Sequence, residues 1–145
     1  VTLDPDTAHC LLVLSPDKRS VSYGNTRQKL ANTKHRFGSR CCVLGRQKFK
    51  NGKHCWEVEV QGELGGSSQW AVGVAKESVE RKGIMDFNPQ NGIWAVGHND
   101  DGFMALGSSC PSMSPVPWRI WIGLNYPQGL VTFINRDTGA KIFTF

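Results

Sequence analysis

The sequence holds the residue types that nucleophilic catalysis requires, among them four histidines and five cysteines. A catalytic serine or cysteine needs a histidine, and usually an acid, within hydrogen-bonding reach. No serine lies in the Gly-x-Ser-x-Gly pattern of a nucleophile elbow. His54 and Cys55 are adjacent in a predicted strand, so their side chains point to opposite faces and cannot pair. The residues therefore predict no catalytic site, and the chain is not expected to be an enzyme.

Metal and phosphate chemistry lack a complete motif as well. Asn99–Gly102 matches part of a calcium loop but lacks its alternate spacing and terminal glutamate, so a hairpin turn is predicted. Gly65–Ser67 is not followed by Lys-Ser or Lys-Thr, which argues against a phosphate-binding loop. The odd number of cysteines and the absence of a Cys-x-x-Cys pair argue against a zinc site or a complete disulfide framework. No cofactor is expected. The cysteines are Cys10, Cys41, Cys42, Cys55 and Cys110.

Positive charge is concentrated in one stretch of the chain. The formal net charge is +5, yet no acidic residue occurs between Lys18 and Trp56. Eleven of the seventeen basic residues lie there: Lys18, Arg19, Arg27, Lys29, Lys34, Arg36, Arg40, Arg46, Lys48, Lys50 and Lys53. Two interpretations stay open. The charges are either solvated loop side chains, or they attract an acidic protein surface, a phosphate or a nucleic acid.

Composition predicts one globular domain in a reducing compartment. The chain has 145 residues, of which 39% are hydrophobic and 20% are charged. It contains no apolar run long enough for a membrane helix and no opening signal-peptide pattern, and it begins like an excised domain. The cysteine pattern and the absence of an Asn-x-Ser/Thr sequence favour an intracellular, cytoplasmic location, with a parent protein that could be anchored in a membrane.

Alternating hydrophobicity predicts the β-strands that would position the candidate residues. In Lys53–Val60, Trp56 and Val58 share one face and the glutamates share the other. Gln69–Ala75 is apolar at nearly every position, as in a strand covered on both sides. The Gly/Ser-rich segment 62–68 between them predicts a hairpin at the centre of the domain. Three tryptophans in strands are expected in the core and Trp118 at the surface; the three are Trp56, Trp70 and Trp94.

Further short apolar runs, separated by turn residues about every ten positions, bring the total to about ten strands. They are residues 10–15, 20–23, 41–45, 93–97, 103–106, 119–125, 130–135 and 140–145. Residues 24–40 are predicted to be a surface loop pinned by Phe37, and residues 108–117 a connector. No convincing amphipathic helix is present, so the pattern predicts an all-β sandwich or barrel.

Short motifs in a fixed order make the whole chain similar to the PRY-SPRY (B30.2) family. Leu3-Asp4-Pro5 resembles the first motif, Trp56–Val60 the second and Leu124–Pro127 a variant of the third, with Asn125 and Pro127 replacing acidic residues. The intervening matches are Arg36-Phe37, Cys42–Gly45, Trp70–Val74, Arg81–Gly83 and Gly92–Trp94. The chain therefore resembles a single domain over 1–145, with a PRY part over about 1–45 and an SPRY part over about 46–145, as in tripartite-motif (TRIM) ubiquitin ligases and butyrophilins.

The resemblance implies a bent, two-sheet antiparallel β-sandwich of the SPRY or concanavalin type, with the last strands of the family pattern missing after Phe145. It also implies a recognition module rather than an enzyme, since ligase activity in such proteins resides in another domain. Loops at one end of the sandwich would bind a protein, a peptide or a phosphorylated metabolite. The domain is not expected to insert into a membrane.

The family's binding face can be carried over residue by residue. The matching positions are Arg40, Cys41, Ala71, Lys82, Gly97, Asn99 and Phe103, with His98 at the border. Relatives have tryptophans where this chain has Gly97 and Asn99, so a shallower pocket bordered by Arg40, Lys82 and His98 is expected. Such a pocket suits an acidic or phosphorylated protein or peptide.

Two other functions compete with this interpretation. RNA or another polyanion could bind the basic 18–53 stretch, although its only aromatic residues before Trp56 are Tyr23, Phe37 and Phe49, which predicts poor base stacking. The second alternative is a secreted, venom-type SPRY effector, against which the unpaired cysteines and the missing signal peptide argue.

Overall fold

The computed structural model describes residues 1–61, 69–108 and 116–145. The predicted loop 62–68, most of the predicted connector 108–117 and Cys110 lie outside these ranges. The chain forms two compact units: the first comprises Val1–Phe49 and Glu80–Met85, and the second comprises Lys50–Val79 and Asp86–Phe145. Within the described ranges, no helix has the length and apolar composition that crossing a membrane would require.

The first unit contains two of the nine strands seen in the described residues, and the second contains the other seven. The strands are β1 (Leu12–Leu14), β2 (Val21–Tyr23), β3 (Lys53–Glu59), β4 (Trp70–Ala75), β5 (Ile93–Asn99), β6 (Gly102–Ala105), β7 (Arg119–Asn125), β8 (Leu130–Asn135) and β9 (Lys141–Thr144). One short 3₁₀ turn covers Pro89–Asn91. The predicted all-β class is confirmed.

The strands of the second unit form two antiparallel sheets. One has four strands in the order β3-β7-β8-β9, and the other has three in the order β4-β5-β6. Strand β3 alternates between exposed and half-buried residues along its length, as its sequence predicts. Just before its start, Gly52 has a φ of 77°, which glycine adopts without strain.

The predicted central hairpin is wrong. Strand β3 pairs along its whole length with β7, from Lys53 opposite Asn125 to Glu59 opposite Arg119. Strand β4 pairs instead with β5. Closeness in sequence favours a hairpin only when a short turn fixes the register, whereas burial of the apolar face selects the partner of a strand such as β3. The two conspicuous sequence segments therefore belong to different sheets.

The core of the second unit lies between these two sheets. Seven buried side chains contact one another there: Val96, Phe103 and Ala105 from the three-stranded sheet, and Ile120, Ile122, Val131 and Phe133 from the four-stranded sheet. Trp56, Trp70 and Trp94 are half-buried and pack against this cluster, whereas Trp118 is 37% exposed. The packing of one inner face on the other makes the second unit a β-sandwich.

The first unit relies less on strand pairing. Strands β1 and β2 form a short antiparallel pair. The strand predicted over 41–45 is absent, and only Gly45 forms an isolated bridge, with Leu3. The backbone of residues 41–45 forms other hydrogen bonds. Cys42 N donates to the nearby Arg40 carbonyl at 2.9 Å, which makes a tight turn that an extended strand does not allow.

A buried arginine holds the predicted loop 24–40 in place. Arg36 is 9% exposed, and its guanidinium donates to the carbonyls of Ala31 (2.8 Å), Pro5 (2.9 Å) and Ala8 (2.8 Å). The neighbouring Phe37 is 7% exposed, as predicted for a residue that pins the loop. The planar guanidinium thus donates hydrogen bonds to three carbonyl groups that have no partner in a β-sheet.

We predict that Arg36→Met lowers the free energy of unfolding by about 1–3 kcal/mol, because the buried carbonyls lose charged donors while the aliphatic stem is kept. Chemical denaturation of the chain measures the change. The matched control is Arg46→Met, because Arg46 is an exposed arginine of the same unit. Equal stability of the two variants would contradict the assigned role of Arg36.

Candidate functional site

Segment 80–85 belongs to the first unit because loop 35–40 binds it through several hydrogen bonds. Gly38 N donates to the Arg81 carbonyl at 2.8 Å, and Ser39 Oγ donates to the Lys82 carbonyl at 2.7 Å. Arg81 Nη1 in turn donates to the His35 carbonyl at 2.6 Å. The Arg81 guanidinium also lies 5.7 Å from the centre of the Phe37 ring, within cation–π range. The sequence did not indicate Arg81 as a site residue, because its role depends on the hydrogen bonds between loop 35–40 and segment 80–85.

Docking of this segment brings two predicted site residues, Arg40 and Lys82, onto neighbouring stretches of chain. Arg40 is half-buried, and its Nη2 donates to the Met85 carbonyl at 2.8 Å. Lys82 is exposed, and its Nζ donates to Asn32 Oδ1 at 2.7 Å. Each cation is therefore oriented by a polar partner within the first unit, and the two residues lie on adjacent segments of chain.

The acidic residue beside them is held by backbone amides. Glu80 Oε1 accepts the N–H groups of Lys82 (2.8 Å) and Gly83 (3.2 Å). These hydrogen bonds lower the pKa of the Glu80 carboxyl, so the carboxylate stays ionised and tied to the turn. No sequence motif singles out this residue, because its contacts depend on the local turn.

The first unit as a whole is strongly basic. It contains eleven lysines and arginines against four aspartates and glutamates, a formal charge of +7. The remaining residues of the chain therefore carry −2 of the net +5. The uneven charge noted in the sequence thus coincides with one compact body, which raises the local concentration of anions around it.

Cys41, the third predicted site residue of this unit, is exposed, and its sulfur lies 3.6 Å from His9 Nδ1. Burial of the sulfur raises the pKa of the Cys41 thiol, nearby Cys10 raises it further, and Arg27 opposes these effects. Cys41 is therefore a neutral thiol at physiological pH. It can donate a weak hydrogen bond but adds no charge to the basic surface.

The other predicted residues lie in the three-stranded sheet of the second unit, on two different faces. One row across the strands contains Ala71, Gly97 and Met104, and the adjacent row contains Trp70, His98 and Phe103. Phe103 is 1% exposed and belongs to the core, with its ring centre 5.7 Å from that of Trp70. Side chains in adjacent rows point to opposite sides of the sheet. Register therefore places His98 and Phe103 on the core side.

Ala71, Gly97 and Asn99 share the opposite face, so the structure brings these three predicted residues together. Asn99 Oδ1 accepts the Asp101 N–H at 2.8 Å in the predicted hairpin turn. A Cβ atom on Gly97 would lie 2.4 Å from the Trp70 carbonyl oxygen and 3.0 Å from Ala71 Cβ. The close approach of β4 and β5 therefore requires glycine here, and a larger side chain such as tryptophan would not fit without moving the backbone.

We predict that Gly97→Ala lowers the free energy of unfolding by about 1–3 kcal/mol, because the added methyl group forces β4 and β5 apart. Thermal or chemical denaturation measures the effect. Gly123→Ala is the matched control, since a Cβ there would meet no atom closer than 3.9 Å. If both variants unfold alike, the steric account of Gly97 is wrong.

Among the described residues, no group of three or more histidine, cysteine, aspartate or glutamate side chains is placed to hold a metal ion. The candidate residues are instead basic in the first unit, and small or amide-bearing in the second unit. Their chemistry is charge recognition in the first unit and hydrogen bonding in the second.

Comparison with known proteins identifies the architecture. Residues 1–49 match the family model PRY, described as the SPRY-associated domain, and residues 53–145 match the model of the SPRY domain. The chain is 44% identical over 150 residues to butyrophilin subfamily 1 member A1 of Homo sapiens, covering all of this chain and 27% of that protein. It is 38% identical over 145 residues to the E3 ubiquitin-protein ligase TRIM11 of Rattus norvegicus, covering all of this chain and 30% of that protein.

A solved structure described as the crystal structure of the TRIM65 PSpry domain has the same fold. The TM-score is 0.77 at 20% sequence identity, over 99% of this chain and 76% of that one. The chain belongs to the PRY-SPRY (B30.2) family, as its sequence motifs predicted. It spans 27% and 30% of the lengths of the two curated relatives named above.

Proposed function

We propose that the chain is a non-catalytic recognition domain that binds an acidic or phosphorylated protein or peptide through Arg40 and Lys82. The observation that carries the proposal is the placement of these two cations on neighbouring segments of a unit with a formal charge of +7. Membership of a family shared with butyrophilins and TRIM ubiquitin ligases supports it. The parent protein would be of one of these two kinds, with the domain facing the cytoplasm.

The local chemistry of Arg40 and Lys82 suits an anionic group. An ammonium group has three donors, and Asn32 occupies one donor of Lys82. The Met85 carbonyl anchors Arg40, which lowers the entropy lost when its guanidinium binds a ligand. The nearby Glu80 carboxylate already accepts two backbone N–H groups. A phosphate or carboxylate of a partner would therefore meet two oriented cations.

The face of the three-stranded sheet that points away from the core is a separate surface of the second unit, on which Ala71 is exposed, Asn99 is half-buried and Gly97 is buried. Ala71 and Gly97 carry little or no side chain, and Asn99 presents an amide at the strand end. Such a flat surface accommodates a peptide backbone better than a bulky side chain. His98 and Phe103, on the core side of the same strands, would support this surface from below.

We predict that the double variant Arg40→Gln, Lys82→Gln weakens binding of a fluorescent phosphoserine peptide with flanking acidic residues at least tenfold, because charged hydrogen bonds contribute about 1.5–3 kcal/mol each. Fluorescence anisotropy, with inorganic phosphate as competitor, measures the affinity. The control Lys29→Gln, Lys34→Gln removes the same charge from exposed positions of the same unit. An equal loss in both double variants, or none in the first, would overturn the assignment.

Binding of RNA or another polyanion is a second candidate, which the charge of the first unit favours. Phe37 is only 7% exposed and cannot stack on a base, which leaves Tyr23, 66% exposed, as a single isolated ring rather than a stacking platform. Polyanion binding would therefore depend mainly on phosphate contacts and would not distinguish one basic residue from another.

For this second candidate, we predict that poly(U) affinity falls steeply with salt. Both double variants should reduce the salt slope alike, by about 0.7 for each phosphate group that the variant no longer neutralises. Titration of fluorescent poly(U) over a series of salt concentrations measures this slope. Absence of binding at low salt would remove the candidate and leave the peptide proposal intact.

A further inference from the structure

Cys10 and Cys41 of the first unit both lie beside His9. Cys10 follows His9 directly in the chain, and Cys41 Sγ lies 3.6 Å from His9 Nδ1. His9 N donates to the Cys42 carbonyl at 3.0 Å, which joins the two chain segments. One cysteine therefore lies on each side of this hydrogen bond, next to the same imidazole ring.

Two polar side chains surround these sulfurs. Arg27 Nη1 donates to Cys10 Sγ at 3.0 Å, which places a cation against that sulfur. His9 is 3% exposed, and its Nδ1 accepts the Leu11 N–H at 3.1 Å. That nitrogen therefore has a lone pair, and Cys41 Sγ lies 3.6 Å from it. A guanidinium beside one thiol and an imidazole base beside the other are the groups that thiol oxidation uses.

We propose that Cys10 and Cys41 form an oxidant-responsive thiol pair, which a peroxide converts to an intramolecular disulfide. The pair is a covalent modification site of the first unit. It does not depend on the proposed recognition function, because its chemistry needs no ligand and is measured without one.

The first step takes place at Cys10, beside the cation. The Cys10 thiolate attacks one oxygen of hydrogen peroxide, so that an S–O bond forms, the O–O bond breaks and hydroxide leaves. Hydroxide takes up the proton released by the Cys10 thiol and becomes water. The product is a sulfenic acid at Cys10, and two electrons have passed from sulfur to the peroxide.

The second step takes place at Cys41. Its sulfur attacks the Cys10 sulfur, so that the S–S bond forms and the S–O bond breaks. The Cys41 proton passes to His9 Nδ1 and then to the departing hydroxide, which leaves as water. In total, two thiols and one hydrogen peroxide give one disulfide and two waters. Burial raises the pKa of Cys41, which explains why this step needs the neighbouring base.

The other described cysteines lack this environment. Burial and, to a smaller extent, the neighbouring Cys41 raise the pKa of Cys42 to about 11, so Cys42 is a poor nucleophile. Cys55 is exposed on β3 in the second unit. Cys42 is therefore an internal control adjacent in sequence, and Cys55 is a control for exposure alone.

The test treats the fully reduced chain with hydrogen peroxide, blocks the remaining thiols and maps tryptic peptides by mass spectrometry without reduction. We expect a peptide of residues 1–18 joined to the peptide of residues 41–46. The same product should form in Cys42→Ser, which assigns the bond to Cys41, and dithiothreitol should remove it. Cys41→Ser should leave Cys10 as a sulfenic acid that dimedone traps.

The variant Arg27→Gln tests whether the guanidinium promotes the reaction or whether the proximity of the two cysteines is sufficient. Arg27 is exposed, so the variant is expected to fold, and disulfide formation should slow at least threefold at equal peroxide. The proposal is overturned if Cys10 and Cys41 stay reduced after Cys55 has been oxidised. It is also overturned if Cys10 joins Cys42 in preference to Cys41, or if the cross-link forms only between molecules.

Discussion

The second unit depends on the burial of the inner face of β7. Ile120 and Ile122 of this strand are fully buried, and they contact residues of the facing three-stranded sheet such as Val96 and Phe103. Since β7 is hydrogen-bonded to β3 on one side and β8 on the other, this face also sets the register of both neighbours. A one-residue slip would move the isoleucines to the solvent side, which burial of this size forbids. The core thus determines the position of every strand beside it.

The first unit is stabilised in a different way, and this difference bears on its proposed function. It has a single two-stranded pair, and cations bonded to carbonyl groups hold its loops, as Arg36 does for residues 31, 5 and 8. Arg81 and Arg40 join segment 80–85 to loop 35–40 in the same manner, since Arg81 donates to the His35 carbonyl and Arg40 to the Met85 carbonyl. The basic residues that stabilise these loops also give the unit its charge of +7. Structural support and anion attraction therefore come from the same residue type.

Much of the fold could be predicted from local sequence, because alternation and turn residues are local signals. The strands predicted over 119–125 and 130–135 are present as β7 and β8, and the hairpin turn predicted at Asn99–Gly102 joins β5 to β6. The failures concern pairing: β3 does not pair with β4, and residues 41–45 form no strand. The partner of a strand depends on which apolar faces meet in the folded chain. Residues 41–45 have the apolar composition of a strand, but their hydrogen bonds go to a turn and to distant loops, which local sequence does not reveal.

The sequence by itself determined the family, the all-β class and the concentration of basic residues, because these follow from composition, period and ordered motifs. Only the tertiary structure decided which candidate residues lie close together. It brings Arg40 and Lys82 onto adjacent segments although 41 residues lie between them in the sequence. It also separates Ala71 and Gly97 from His98 and Phe103, because successive residues of a strand point to opposite faces and only packing selects the buried one.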